Sequence, residues 1–596
     1  MKRCLTVLIS LLFIAVNAGA QQGDWYNDDG GFSFTGFGTE NNPFEISSEA
    51  ALSYLAEQVN KSLGESYEGM FFILTKDLDL ADHYWNPIAN SAVQPFKGIF
   101  NGNGKTIYNL HVRNSDSQSF PASGLFGYVG NGAKIENLTI ESGRVEGCNS
   151  QTITRTGALA GYLLCNVTGG EDSIIIRNCH NKNVTVTGGN TSYSNTGGLI
   201  GEAYAFSDSD GAVSILIENC TNTGAVVASP SNFPYTGGII GKGRGHGYCD
   251  GSISAHGSFA IVKCENSGVV SGGNTTGVDA VSSTGGILGF GYASGDGYGD
   301  SDGAGVFTVN QCVNTGLIRG GDATSDNAYT YTGGIFGYGD GYGYGDTSSN
   351  TESKPEGHGY GSGMFTITSS INRGGVNGGD AINSETISAT GGVFGFASGS
   401  GAGDRQGHGY AYGSFSMRNC YSFADISTRK GCIGGLGGWI ATSGNGPNYV
   451  ISAIMQDSYV AGTINKNVAL SDVITGGIIG RVHRSDNANK DPHVDRCLVA
   501  LSFIIGSSSR TFRIAGQLLN VESPAKTLTR NYAYIRDGKW IDTASVQNGE
   551  EWTGIMTEPP ISEWNSAGNA WIIIKDTYEF MPKLRYIPNQ QNVLIP

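Results

Sequence analysis

One short element, Thr-Gly-Gly-hydrophobic-hydrophobic-Gly, returns along this chain, and its recurrence limits the fold more than any other feature. Residues 196–201 read Thr-Gly-Gly-Leu-Ile-Gly, and the element begins again at Thr236, Thr284, Thr332, Thr390 and Thr475. Looser versions begin at Ser123, Thr156 and Gly434, which makes nine copies. Between copies run two further segments, for example residues 259–264, where apolar and polar side chains alternate, and residues 268–272. Gly, Asn and Ser turns separate them, so each repeat predicts three short strands. A unit of this size cannot bury its own apolar side chains, whereas stacked units set like above like and build one continuous core. The expected fold is therefore all-β: a parallel, right-handed β-helix of about nine coils, roughly 43 Å long at ~4.8 Å per coil.

A second recurrence follows from the first. Cys179, Cys220, Cys264, Cys312 and Cys420 share a local context of which Asn-Cys-Thr-Asn-Thr-Gly at 219–224 is a sample. Stacking predicts a ladder of buried free thiols in preference to disulfides or metal ligands. Asn181, Asn222, Asn266, Asn314 and Asn372 are expected to satisfy backbone groups at a turn. Apart from Cys4, ten cysteines spread over hundreds of residues are too dilute for a disulfide scaffold.

Composition removes other classes. With 93 Gly among 596 residues but 39% hydrophobic residues and only 15 Pro, the chain is neither disordered nor collagen-like. Lys2 and Arg3, an apolar run over 5–16, and Ala18-Gly19-Ala20 before Gln21 read as a secretory signal cut after Ala20. The run is too short for a bilayer, no other stretch approaches the ~20 residues needed, and Cys4 precedes the run, so it is not an acylated first residue. The expectation is an exported protein with no direct membrane span. Net charge is −16, and −16 − 2 = −18 without Lys2 and Arg3, a surface that repels nucleic acid and anionic lipid.

Before the repeats, Ser48 followed by residues 49–59 predicts a capped amphipathic helix with Ala51, Leu52, Leu55, Ala56 and Val59 on one side, a plug for the first coil. Around it stand Gly38-Thr39, Pro43-Phe44, Leu-Thr-Lys-Asp-Leu-Asp-Leu at 74–80, Trp85-Asn86-Pro87-Ile88 and Phe-Lys-Gly-Ile-Phe-Asn-Gly-Asn-Gly at 96–104. Together with the Gly-Leu-hydrophobic-Gly core of the repeat, these residues resemble the GLUG-motif family of bacterial cell-surface proteins and the module that commonly precedes its repeats. The resemblance covers roughly residues 35 to 480, and Trp571 with Met-Pro-Lys-Leu at 581–584 is similar to the family's last segment. It implies an adhesin-like protein, extracellular or on the outer surface of a Gram-negative bacterium. The same motif accompanies some secreted immunoglobulin-cleaving metallopeptidases, but His-Glu-x-x-His is absent here, and Gly104-Lys105-Thr106 lacks the glycine five residues before Gly104 that a phosphate loop needs. No catalytic residue and no cofactor is assigned. The expected organisation is signal peptide 1–20, N-terminal cap 21–120, repeats 121–490, and terminal coils with a C-terminal cap 491–596.

The middle repeats carry insertions of alternating Gly. Residues 295–303 read Gly-Asp-Gly-Tyr-Gly-Asp-Ser-Asp-Gly and 337–346 Gly-Tyr-Gly-Asp-Gly-Tyr-Gly-Tyr-Gly-Asp, and the chain is expected to return through Gly-His-Gly-Tyr at 245–248, 357–360 and 407–410. Strict alternation gives strands with one bare face and one of Tyr, Asp and His, stacked at one corner as a lateral flap. Either the Tyr rows simply pack, or they form a platform for a glycan or a host or matrix protein. The candidate binding residues are Tyr298, Tyr338, Tyr342, Tyr344, Tyr360, His246, His358 and His408, with the histidines expected as a stacked surface row. Asp208 and Asp210, and Asp300 and Asp302, resemble the start of calcium loops without the distal Glu, which makes calcium the one metal to test. The leading reading is an adhesin-like rod. Its alternatives are a β-helical polysaccharide lyase or hydrolase, which needs convergent carboxylates or a Lys/Arg/His set on one face, and a purely structural surface component.

Overall fold

A computed structural model of the chain describes residues 33–61, 64–81, 83–113, 121–149, 152–167, 169–208, 210–250, 253–346, 359–381, 386–403, 409–445, 448–464, 473–485, 487–495 and 497–504, then the short runs 511–512, 515–522, 528–529, 531–535, 539–541, 571–574 and 581–584. The signal segment, His358 and His408 lie outside these residues. One turn of the stack shows the plan: Tyr193–Gly197 lies in a first sheet, Ile200–Ser207 in a second, and Gly211–Glu218, Thr221–Asn222 and Val226–Val227 follow in a third. Successive turns pair in parallel, with Thr156, Thr196, Thr236, Thr284, Thr332 and Thr390 in register. The fold is a parallel β-helix. Among the described residues its single helix is too short to cross a membrane.

The first and second sheets each hold ten strands, one more than the nine repeats read from sequence. The tenth turn is Thr511–Phe512 and Ala515–Leu519, where Thr-Phe-Arg-Ile-Ala-Gly stands in for the repeat. Coils thus continue past 490, and the stack goes on through Leu528–Thr529 and Tyr532–Ile535. Antiparallel pairing appears only afterwards among the strands, between Tyr532–Ile535 and Lys539–Ile541 and between Trp571–Ile574 and Met581–Leu584.

Glycine makes the corner between the first two sheets. A Cβ on Gly197 would sit 2.0 Å from the Ile200 carbonyl oxygen, and one on Gly237 1.9 Å from that of Ile240, so no other residue closes this turn unshifted. The third side holds both of the segments that lie between repeats, and it kinks at a left-handed residue in seven successive coils: Asn178, Asn219, Lys263, Gln311, Ser369, Asn419 and Asp457 all have φ between +50° and +56°, the strand Gly170–Lys182 running on through Asn178 and each later strand stopping at the kink. Just beyond that kink sit the thiols. None of the ten described cysteines is in a disulfide, and Cys179, Cys220, Cys264, Cys312 and Cys420 stack as a buried ladder as expected, each 3.4–4.0 Å from a carbonyl of the preceding coil. Burial pushes the Cys420 thiol up to about 12. Ser370 and Ser458 take the missing rungs, their hydroxyls accepting the amides of Cys312 and Cys420 at 3.2 Å.

The asparagines form the second ladder. Asn222 donates to Asn266, Asn266 to Asn314 and Asn314 to Asn372, each at 2.8 Å, while each also donates to a glycine carbonyl two residues on. Apolar rungs fill the space between. Phe259, Phe307, Phe365 and Phe415 run in register at ring separations of 4.6, 4.9 and 6.0 Å, all fully buried. At the N-terminal end the helix Glu49–Asn60 starts where Ser48 Oγ accepts the Ala51 amide at 3.2 Å. Ala51, Leu52, Leu55, Ala56 and Val59 join the core, so the helix covers the first coil as its sequence predicts.

Candidate functional site

The Gly-rich insertions extend the second and third sheets beyond the body of the helix. Second-sheet strands Ile240–Asp250, Leu288–Tyr298, Phe336–Asp346 and Phe394–Gly403 face third-sheet strands Ser254–Val262, Asp302–Asn310, Tyr360–Thr368 and Tyr410–Arg418. Period-2 geometry turns the alternating Gly inward, with Cys249, Ala255, Ala293 and Ala411 at matching inward positions, and the Tyr, Asp, His and Ser between them outward. The two layers touch backbone to backbone: a Cβ on Gly295 would meet the Ser362 and Gly303 oxygens at 2.1 and 2.2 Å, and one on Gly343 the Tyr412 and Gly361 oxygens at 2.4 and 2.5 Å. This is the flap expected from the alternation, and it fixes its outward residues rigidly on two opposite surfaces.

The candidate tyrosines divide between those surfaces. Tyr298, Tyr338, Tyr342 and Tyr344 project from the second sheet, whereas Tyr360 projects from the third, 40% exposed and stacked on Tyr410 at 5.3 Å. Tyr338 does not offer a ring face. It is sandwiched between Phe290 and Phe396 at 4.6 and 5.0 Å, nearly parallel to both. Stacking turns the ring faces toward neighbouring coils and leaves edges outward, which at Tyr338 is the packed alternative of the two. Tyr342 and Tyr344 are half-buried and keep their hydroxyls near the surface, with Tyr344 donating to Asp346 at 2.8 Å.

The histidine row is corrected. Gly-His-Gly-Tyr at 245–248 belongs to an outgoing second-sheet strand, while Tyr360 and Tyr410 begin returning third-sheet strands. His246 lies in register with Phe206 and Ser294, not with another histidine. The Asp pairs sit at turns of different coils, exposed, and among the described residues no group of three or more His, Cys, Asp or Glu side chains converges for a metal.

What the register does assemble is a polar array that the sequence reading missed. Tyr204, Arg244 and Tyr292 form one outward row across three coils, and His246 and Asp296 sit beside it. His246, only 7% exposed, receives the Tyr204 hydroxyl on Nδ1 at 2.9 Å and donates from Nε2 to Asp296 Oδ2 at 2.9 Å. With Nε2 donating to the Asp296 carboxylate, Nδ1 is the ring nitrogen that accepts the Tyr204 hydroxyl. Ser294 donates to the second Asp296 oxygen at 3.2 Å. Burial pushes the Tyr204 hydroxyl up to about 12, against the pull of Arg244. The Arg244 guanidinium lies over both ring neighbours, 5.0 Å from the centre of Tyr204 and 5.3 Å from that of Tyr292.

This array forms one wall of a groove. Side chains leaving the first sheet meet side chains leaving the second, which requires the two outer surfaces to incline toward each other. Tyr235 meets Phe290 at 4.6 Å, and Tyr331 meets Tyr338 at 5.7 Å and Phe396 at 5.0 Å. In the same corner Arg155 of the first sheet pairs with Glu202 of the second, which Asn195 also bonds at 3.0 Å and Lys242 approaches at 3.6 Å. Burial works to raise the Glu202 carboxyl, but Lys242 and Arg155 outweigh it and hold it below its usual range. The groove thus runs along the rod with an aromatic floor and a mid-length wall carrying phenol, guanidinium, imidazole, hydroxyl and carboxylate groups. A signal for it existed: Tyr204, Arg244 and Tyr292 each stand three residues after the closing glycine of their repeats, Gly201, Gly241 and Gly289.

No family model matches the chain. A curated relative, halomucin of Haloquadratum walsbyi, is 30% identical over 179 residues, 29% of this chain; the chain spans 2% of that relative's length. A solved crystal structure from Bacteroides ovatus, described as "a putative immunoglobulin A1 protease", is 15% identical with a TM-score of 0.34, over 69% of this chain and 86% of that one.

Proposed function

We propose that this β-helical chain is an exported, adhesin-like protein of the GLUG-repeat type that holds a glycan, or a host or matrix protein, in the groove between its first two sheets. The observation that carries the reading is the wall formed by Tyr204, Arg244, His246 and Asp296: donors and acceptors of mixed kind, side by side on parallel strands packed tightly on the layer behind them. Polar groups preset on rigid strands lose little freedom on binding, which is what a recognition surface needs. A specific observation also favours the enzyme alternative, since His246 held between a phenol and a carboxylate is the kind of one-sided set a polysaccharide-cleaving site requires.

A glycan and matrix-protein array separates the two, using the chain from Gln21 onward, with calcium and with chelator, and with each bound saccharide checked for released fragments. Binding without fragments, weakened about tenfold or more by Tyr204→Phe with His246→Ala, is the expected result. Fragment release that the same substitutions abolish would make the protein an enzyme. Binding that survives both substitutions would place the ligand elsewhere on the rod, and a loss on chelation would point to the Asp208/Asp210 or Asp300/Asp302 turns.

A further inference from the structure

Arg244 differs from the other well-placed arginines of the rod. Arg155, Arg177, Arg429 and Arg484 each pair with a carboxylate. Arg244, half-buried at the centre of the groove wall, has no ion-pair or hydrogen-bond partner among the described residues, and its Nε is fully shielded from solvent with nothing to bond. A shielded, unpartnered guanidinium N–H is unfavourable and calls for an explanation.

The surroundings keep it unpartnered. The rings of Tyr204 and Tyr292 flank the guanidinium, and neither hydroxyl oxygen accepts a hydrogen bond from it. The carboxylates within the array are engaged by other groups: Asp296 by His246 and Ser294, Asp340 by Ser398 and Ser400, Glu202 by Arg155, Asn195 and Lys242. A planar cation clamped between two rings has its edge as the free direction, and that edge matches a two-oxygen anion.

Resting on the glycan reading above, we infer that Arg244 seats the carboxylate or sulfate group of an acidic saccharide, with the Tyr204 and Tyr292 rings on either side of the seat. The charge pattern narrows the class further. Asp296, Asp340 and Glu202 surround a single unpartnered cation, so a densely charged polyanion such as heparin, a nucleic acid or an acidic peptide meets repulsion on every side. A saccharide that carries one charge between neutral, hydroxylated sugars places its anion on Arg244 and its hydroxyls against the phenol and carboxylate groups.

The test is titration calorimetry at low salt with three probes: hyaluronan oligosaccharides, which carry one carboxylate per disaccharide; chitin oligosaccharides, which share the N-acetylglucosamine and carry none; and heparin. The wild-type chain is compared with Arg244→Gln and with Arg319→Gln, an exposed arginine on the third sheet. The expected result is hyaluronan binding about tenfold or more tighter than chitin and tighter than heparin, a preference erased by Arg244→Gln and kept by Arg319→Gln. In a fourth arm, unsulfated chondroitin is run beside chondroitin sulfate, which differs from it by the sulfate alone: equal binding assigns the seat to the carboxylate, and binding of the sulfated form only assigns it to the sulfate. Equal binding of hyaluronan and chitin would overturn the anion seat while leaving a glycan groove standing. A preference that persists in Arg244→Gln would overturn it too. Failure of every saccharide to bind would overturn the anion seat and leave only the host- or matrix-protein half of the reading above, and unchanged circular dichroism in Arg244→Gln guards against a folding defect.

Discussion

Asp340 shows how a single side chain can cost the rod stability and still belong there. It projects from the second sheet, 7% exposed, with Ser398 and Ser400 both donating to its Oδ1 at 2.6 Å. Burial pushes its carboxyl up to about 6, despite those two hydroxyls and the Gly341 amide, which pull the other way. A carboxyl whose folded value lies above its unfolded one, near 4, adds stability that is complete at low pH and is lost as pH rises through the folded value. The loss falls between about pH 4 and pH 6 and amounts to roughly 2–3 kcal/mol. Asp340→Asn should therefore be more stable than wild type at pH 7 by up to that amount and no more stable at pH 4, as urea unfolding at the two pH values would show. An advantage that is the same at both would mean the carboxylate is not the source of the cost.

At the scale of strands, the flap depends on what its inner surfaces lack. Gly343→Ala introduces a methyl group where the Tyr412 and Gly361 oxygens stand 2.4 and 2.5 Å away, so the two layers must part. The expected cost is about 1–3 kcal/mol, read as a fall in thermal midpoint, whereas Tyr342→Phe one residue earlier, which keeps the half-buried ring, should change it by less than about 0.5 kcal/mol. Equal effects would show that the layers slide freely instead of locking. Much of this level was legible in the residues, because a stacked fold repeats its spacing: the Cys and Asn ladders and the bare flap strands follow from equal residues at equal offsets, and the helix from Ser48 and its apolar side. The division of the Thr-Gly-Gly element was not: read as one of three strands, it spans two sheets, while both segments between copies share the third, where the left-handed residues include Lys263 and Gln311, which carry no turn signal. His246 was misplaced because the string Gly-His-Gly-Tyr occurs on an outgoing strand in one coil and before returning strands in others. The groove wall escaped because its members come from three coils, and only counting from the closing glycine of each repeat sets Tyr204, Arg244 and Tyr292 in one row.

For the molecule as a whole, each coil contacts its two neighbours, and stability is nearly a sum over turns and their interfaces. Removing residues 286–333, one full period between equivalent glycines, joins Thr284-Gly285 to Gly334-Ile335-Phe336-Gly337 and restores the corner sequence. It also brings Phe259 against Phe365 and Asn266 against Asn372. This shortened chain should fold, with unchanged β circular dichroism and a hydrodynamic length reduced by about 4.8 Å, while removal of residues 286–309 alone should not. In the shortened rod Arg244 would lie beside Asp340, which in the intact chain stands one row further on across Tyr292, so the chain should fold yet lose its preference for acidic saccharide. The flap has a consequence for how such a surface can change over time. Where two layers meet through backbone alone, no outward side chain has an inward partner that must vary with it. Mutations on the visible side are thus uncoupled from packing, while those on the hidden side are nearly all forbidden. The rod can acquire a new chemical face by single substitutions, with the frame that displays it held constant.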